Sequence, residues 1–81
     1  MTSIYSEEYQ LVTRTLREAR ISKGISQQKL ADMLGRPQSF IAKVESGERK
    51  LDVVEFALLA HLLSVDPAPV LEKIITQKMA K

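Results

Sequence analysis

Residues 27–47 read QQKLADMLGRPQSFIAKVESG and contain two short amphipathic segments. Apolar residues recur at helical spacing on both sides of a short interruption at Gly35, Arg36 and Pro37. Glycine ends a helix cheaply because it enters the left-handed conformation without a steric penalty. Proline suits the first position of a helix, where the amide hydrogen that it lacks would have no partner. The stretch therefore predicts two short helices joined by a tight turn, a helix-turn-helix.

Two capping serines predict how the chain enters this motif. Ser6 precedes Glu7 and Glu8, and acidic residues favour the first turn of a helix, so helix one is predicted from Glu7 to Lys23. Ser26 is the predicted N-cap of helix two. The inward faces of helices one to three are predicted to be formed by Val12, Leu16, Ala19, Leu30, Ala31, Leu34, Phe40, Ile41 and Val44.

Two more helices are predicted after the motif. Helix four should begin after Asp52, because Glu55 three residues on completes a capping box. Helix five should follow Asp66, with Pro67 in its first turn. The predicted fold class is thus all-α. We expect a single compact five-helix domain over residues 1–81, with a core at 14–65 and a C-terminal helix in 66–81.

Length and composition exclude several classes of protein. A chain of 81 residues can bury one core but not a core plus an enclosed catalytic cavity, so an enzyme is not expected. Cysteine is absent, which suits a reducing cytoplasm. The only histidine, His61, has no second histidine or carboxylate one turn further on, so no metal site and no cofactor are predicted. No apolar run approaches the roughly 18 residues of a membrane span, so no membrane partner is expected.

The charge of the chain is small overall but unevenly distributed. Residues 14–50 carry nine basic and four acidic side chains, a net charge of +5, whereas residues 1–13 carry −2 and residues 51–81 carry −1. The positive charge therefore coincides with the helix-turn-helix. This coincidence favours contact with phosphates over a merely solvated charged face.

Helix four has almost no polar stripe. Its apolar residues are Val53, Val54, Phe56, Ala57, Leu58, Leu59, Ala60, Leu62 and Leu63. A helix that is apolar all round is normally buried on more than one side, and a domain this small can hardly cover both faces as well as Ile74 and Ile75 of helix five. A homodimer is therefore predicted. The alternative is that helices four and five cover each other and the first three helices.

Several spaced segments between Leu16 and Val65 carry a family resemblance. They are Leu16-Arg17-Glu18-Ala19-Arg20, Gly24-Ile25-Ser26-Gln27, Leu30-Ala31, Leu34-Gly35, Ser39, Ile41 and Val44-Glu45-Ser46-Gly47. With them, the chain resembles the lambda-repressor-like, XRE/Cro-type family of helix-turn-helix transcriptional regulators. The resemblance implies sequence-specific binding of double-stranded DNA, with helix three in the major groove. We therefore expect a transcriptional regulator, a repressor, that acts as a dimer on a palindromic operator.

The resemblance also implies which residues meet the DNA. Gln27 is expected to contact the DNA backbone and brace helix three, while Gln38 and Ser39 are expected to read bases. Lys43, one turn later, could reach a guanine edge or a phosphate. Arg36, before helix three, is expected to reach a phosphate or a base.

The turn and loop after helix three are expected to contact the DNA backbone. They contribute Ser46, Arg49 and Lys50, and the amides of the Ser46-Gly47 turn could approach a phosphate. By the same resemblance, Arg20 and Glu45 form a structural ion pair beneath the motif and do not belong to the DNA site.

A protein-interaction role remains the alternative. In that case the chain is an antitoxin or adaptor whose apolar surface on helices four and five binds a different protein. Tyr5 and Tyr9 have no role that the sequence assigns.

Overall fold

The structure, a computed structural model, describes residues 6–79 and contains five helices in this range. They are α1 (Glu7–Ser22), α2 (Gln27–Leu34), α3 (Gln38–Ser46), α4 (Val53–Leu62) and α5 (Pro67–Met79). No strand occurs among these residues, so the predicted all-α class and the number and order of the helices are confirmed. None of the helices within 6–79 is both long enough and apolar enough to cross a membrane.

Helices α1, α2 and α4 begin at the predicted caps Ser6, Ser26 and Asp52. The hydroxyl of Ser26 accepts a hydrogen bond of 3.0 Å from the amide of Lys29, which pairs one of the orphan donors of the first turn of α2. At α4 the predicted capping box is complete. The Asp52 side chain accepts from the amide of Glu55 at 2.7 Å, and the Glu55 carboxylate accepts from the amide of Asp52 at 3.0 Å. These reciprocal bonds set the direction in which α4 leaves the preceding loop.

The start of α3 differs from the prediction. Pro37 is the N-cap and not the first helical residue, because its φ of −66° suits a helix but its ψ of 154° is extended. Gly35, at φ +80°, caps the end of α2, and only three residues separate Leu34, the last residue of α2, from the first residue of α3. The chain completes its change of direction at Pro37. As a result, α3 begins with Gln38, whose side chain stands at the very end of the helix.

One face of each helix contributes to a shared core. The two helices of the motif, α2 and α3, pack against each other. Helix α1 packs against α3 and α5, and α4 packs against α2. The core is formed by Val12, Leu16, Leu30, Ala31, Phe40, Ile41, Val44, Leu59, Leu63 and Val70. All nine of the predicted inward residues of α1 to α3 are either in this core or, for Ala19 and Leu34, packed against it. The core therefore holds α3 at a fixed orientation relative to α2.

Large apolar side chains of α4 and α5 remain exposed. We call these residues the α4/α5 apolar surface: Val53, Val54, Leu58, Leu71 and Ile75. Val53 is 79% exposed and Ile75 is 61% exposed, while α5 packs against α1 and α4 packs against α2. The alternative in which α4 and α5 cover each other is therefore wrong for these side chains. The surface matters for the assembly proposed below.

Candidate nucleic-acid interface

The two sides of α3 differ sharply in character. Ile41 and Val44 face the core, whereas Gln38, Ser39 and Lys43 are exposed. Ser39 and Lys43 are four residues apart, so they lie one above the other on the same side of the helix. The structure thus exposes three of the predicted DNA-binding residues on α3, with Gln38 at its N-terminal end and Ser39 and Lys43 on one side of the helix.

Gln38 is held by the preceding helix. Its side-chain amide donates a hydrogen bond of 2.8 Å to the side-chain oxygen of Gln27, at the start of α2. The amide of Gln27 in turn donates to Glu45 Oε1 at 2.9 Å. Both polar groups of Gln27 are therefore engaged, one with the exposed end of α3 and one with its buried end. Gln27 braces α3, as the family resemblance implied.

Glu45 connects this chain of hydrogen bonds to α1. Arg20 donates to both carboxylate oxygens of Glu45, at 2.7 Å from Nε and 3.1 Å from Nη2. The Nη1 of Arg20 donates to the carbonyl of Ile25 at 2.7 Å, and the two charged side chains are only 11% and 8% exposed. The geometry is the bidentate fork that guanidinium and carboxylate prefer. This pair is structural, as implied, and it fixes α1 to the end of α3.

The two arginines on either side of α3 share one carboxylate. Glu55 of α4 accepts from Nη2 of Arg36 at 3.0 Å, and from Nη1 and Nη2 of Arg49 at 3.1 Å each. Both guanidinium groups also lie over the ring of Phe40, at 4.4 Å for Arg36 and 4.8 Å for Arg49. Arg36 and Arg49 thus have partners within the protein. Their side chains are still 41% and 40% exposed.

Sequence reasoning assigned Glu55 only to the capping box. Glu55 is only 6% exposed, and its carboxylate accepts more hydrogen bonds within the protein than most side chains do. The hydrogen bond from the Asp52 amide lowers the pKa of Glu55 most, burial opposes this shift, and Arg49 and Arg36 lower the pKa further. Glu55 is therefore ionised at neutral pH. The sequence spacing does not indicate that Glu55 also pairs with Arg36 and Arg49, because the three side chains come together only in the folded chain.

Tyr9 holds the loop between α3 and α4. Its hydroxyl donates to the carbonyl of Arg49 at 3.3 Å and accepts from the amide of Leu51 at 3.0 Å. The Lys50 ammonium lies 5.7 Å from the centre of the Tyr9 ring. Burial raises the pKa of Tyr9, so the phenol stays protonated at neutral pH and can make both bonds. Tyr9 thereby gains a role, whereas Tyr5 lies outside the described residues.

The backbone amides of the turn after α3 donate hydrogen bonds within the protein. The N–H groups of Gly47, Glu48 and Arg49 donate to the carbonyls of Val44 and Lys43, at 2.9 to 3.2 Å. These amides are therefore not free to bind a phosphate, contrary to the expectation for the Ser46-Gly47 turn. The side chains of Ser46 and Lys50 are exposed there, and the Ser46 hydroxyl donates to the carbonyl of Lys43 at 3.1 Å.

A comparison with protein families agrees with this geometry. A family model described as helix-turn-helix matches residues 16–70, which is more than half of the chain. The chain belongs to the XRE-type helix-turn-helix family. This family assignment confirms the resemblance drawn from the sequence. The chain is accordingly a DNA-binding transcriptional regulator with the lambda-repressor-like fold.

Solved structures show the same XRE-type architecture. An XRE-family like protein from Pseudomonas syringae pv. tomato str. DC3000 is 43% identical, with a TM-score of 0.77 over 91% of this chain and 88% of that one. A variant of the restriction-modification controller protein C.Esp1396I is 24% identical and shares the fold, with a TM-score of 0.73 over 93% and 95% of the two chains. No curated protein sequence matches this XRE-type chain significantly.

Proposed function

We propose that this regulator is a repressor that binds a palindromic operator as a homodimer, with α3 of each copy in the major groove. The observation that carries the proposal is the position of Gln38 and Ser39. Both are exposed at the N-terminal end of α3, which is the end that a recognition helix presents to base edges. A glutamine amide can pair with N6 and N7 of adenine, and a serine hydroxyl can donate or accept.

The other residues of the proposed site extend the reading surface or suit contact with the DNA backbone. Lys43 on the same face of α3 extends the reading surface by one turn. Arg36, Arg49 and Lys50 flank α3, Ser46 is its last residue, and their cationic and hydroxyl groups suit phosphates. Gln27 supports Gln38 and lies at the start of α2, where phosphate contact is also favourable.

The α4/α5 apolar surface supports a dimer. Five large apolar side chains of α4 and α5 are exposed, and exposed apolar groups of this size are candidates for a protein–protein interface. A two-fold dimer would cover the same residues on both copies. Two recognition helices related in this way suit an operator whose half-sites lie about 10 bp apart, or a multiple of that distance.

Selection of bound duplexes from a random DNA pool tests the proposed function. We expect an enriched palindrome with two half-sites, and repression of a reporter when this palindrome overlaps the promoter. Enrichment of no sequence would contradict base reading by α3. Enrichment of a single, unrepeated half-site would contradict the dimer.

The assembly can be tested separately by light scattering during size-exclusion chromatography. The chain has a mass of 9.1 kDa, so a dimer would have twice this value. Leu58→Glu in the α4/α5 apolar surface should give a monomer, since a charge would be buried in the interface. Ile21→Glu is a matched control, because Ile21 in α1 is 50% exposed and Leu58 is 49% exposed. A dimer that survives Leu58→Glu would place the interface elsewhere.

The same surface favours the second candidate function. In an antitoxin or adaptor, the α4/α5 apolar surface would bind a different protein. The wild-type chain would then be monomeric in light scattering and would form a complex of defined stoichiometry only with that partner.

A further inference from the structure

Arg36 and Arg49 lie at opposite ends of α3, yet they contact the same side chain. Arg36 comes just before the N-cap of α3, and Arg49 lies in the loop that follows this helix. Oε2 of Glu55 accepts from both guanidinium groups, at 3.0 Å from Arg36 and 3.1 Å from Arg49. A carboxylate from α4 therefore fixes the two cations that flank the proposed recognition helix.

Phe40 limits the positions of the same two cations. Its ring belongs to the core and is 6% exposed, so it is a rigid support for the guanidinium groups that lie over it. A planar guanidinium that is both stacked and hydrogen-bonded loses most of its rotational freedom when the protein folds. The two arginines thus meet a ligand in orientations that are already set.

Both arginines keep N–H donors that these contacts do not occupy. A guanidinium has five N–H donors. Arg36 uses one of them, to Glu55, and Arg49 uses three, two to Glu55 and one to the carbonyl of Lys50. About two fifths of each arginine side chain remains exposed, at 41% and 40%. Both can therefore donate to a phosphate while they keep Glu55. The carboxylate also reduces the local charge of the two arginines from +2 to +1.

We propose that Glu55 is a positioning residue of the DNA interface, which couples Arg36 and Arg49 into a single oriented contact with the DNA backbone. In this arrangement Glu55 serves specificity in two ways. It orients both arginines for the geometry of the correctly docked complex, and it weakens the attraction of the same charges to any other DNA. The inference rests on the proposed DNA-binding function.

The first test compares Glu55→Gln with the wild type, on the selected operator and on a duplex of unrelated sequence. A glutamine keeps an acceptor for the Asp52 amide, so the cap of α4 can persist. The ratio of the two affinities should fall about tenfold, since charge-assisted bonds that orient the arginines are lost. Binding of Glu55→Gln to unrelated DNA should release about one more counterion than binding of the wild type, because one positive charge is no longer paired. Its affinity for that DNA should therefore fall more steeply as the salt concentration rises.

Glu18→Gln is the matched control. Glu18 is exposed on α1 and makes no described ion pair, and its substitution changes the net charge by the same amount. We expect it to leave the affinity ratio within about twofold of the wild type, as for other exposed sites. A purely structural Glu55 would weaken binding to both duplexes in proportion to the loss of folded protein. An unchanged affinity ratio in folded Glu55→Gln would overturn the inference.

A double-mutant cycle keeps the inference testable if Glu55→Gln does not fold. Arg36→Ala, Arg49→Ala and the double variant should show non-additive losses of operator affinity, because each arginine helps to hold the carboxylate that orients the other. Additive losses would overturn the coupling. These outcomes can be distinguished from failure of the proposed function, in which the wild type itself would select no DNA sequence.

Discussion

The side chain of Gln38 donates a hydrogen bond of 2.8 Å to the side chain of Gln27, eleven residues earlier in the chain. Gln27 in turn donates a hydrogen bond to Glu45, and Glu45 forms a bidentate ion pair with Arg20. An exposed side chain at the end of α3 is thus linked to a buried pair beneath the motif. The orientation of Gln38 is set before any DNA is bound, which reduces the entropy that binding must overcome.

Gln27→Ala should lower operator affinity by about 1 kcal/mol, since a hydrogen bond of this kind contributes that order of free energy and Gln38 would gain rotamers. Fluorescence anisotropy on the selected operator measures the effect. Gln28→Ala is the control, because Gln28 is exposed and bonds only to Asp32 within α2. Equal affinities for Gln27→Ala and Gln28→Ala would show that the bracing contributes nothing to binding.

Glu45→Ala should reduce the free energy of unfolding by about 3 to 5 kcal/mol, because it leaves the guanidinium of Arg20 buried without its counter-charge. The side chains of the pair are 11% and 8% exposed, so water cannot readily replace the carboxylate. Urea unfolding gives the measurement. Glu48→Ala in the exposed loop should change stability by about 0.5 kcal/mol or less. A similarly small loss for Glu45→Ala would contradict the structural role of the pair.

Tyr9→Phe should reduce stability by about 1 kcal/mol and speed hydrogen exchange of the Leu51 amide, because the acceptor of that amide is removed while the ring remains. Nuclear magnetic resonance can follow this single amide. Thr13→Ala removes an exposed hydroxyl on the same helix that bonds only to Gln10. Exchange at Leu51 should be unaffected by this control. An unchanged rate in Tyr9→Phe would mean that the tyrosine does not hold the loop.

Acid should weaken the fold partly through Glu55. Its pKa in the folded protein lies below the ordinary value of 4.5, so the stability that its carboxylate provides is complete above about pH 4.5. This contribution is lost as the pH falls through the lowered pKa. Unfolding free energies of the wild type and Glu55→Gln should therefore converge in acid and diverge towards neutral pH. Parallel curves for the two proteins would contradict the lowered pKa.

The helices and their caps could be predicted because their signals are local. The Ser26 cap, the Gly35 stop and the Asp52–Glu55 capping box each depend on residues within about one turn of each other. The predicted start of α3 is one residue too early, at Pro37 and not at Gln38, because the fixed φ of proline fits both the cap and the first helical position and only ψ distinguishes them. The resemblance to the family supplied the exposed face of α3.

The contacts around the site could not be predicted in this way. Tyr9 is forty residues from Arg49 in sequence, and no periodicity relates a tyrosine of α1 to a loop carbonyl. The sequence shows positive charge at Arg36 and Arg49, but its neutralisation by Glu55 depends on how α4 packs against the motif. Local patterns report the faces of the helices. They do not report which charges on neighbouring helices meet.

Base reading by Gln38 can be tested by a second selection from random duplexes, carried out with Gln38→Ala beside the wild type. If Gln38 reads a base, the wild type should enrich a palindrome and the variant should enrich the same palindrome with one relaxed position in each half-site. Its operator affinity should fall by about 1 to 3 kcal/mol. Recovery of an identical motif at unchanged affinity would contradict base reading by the N-terminal end of α3.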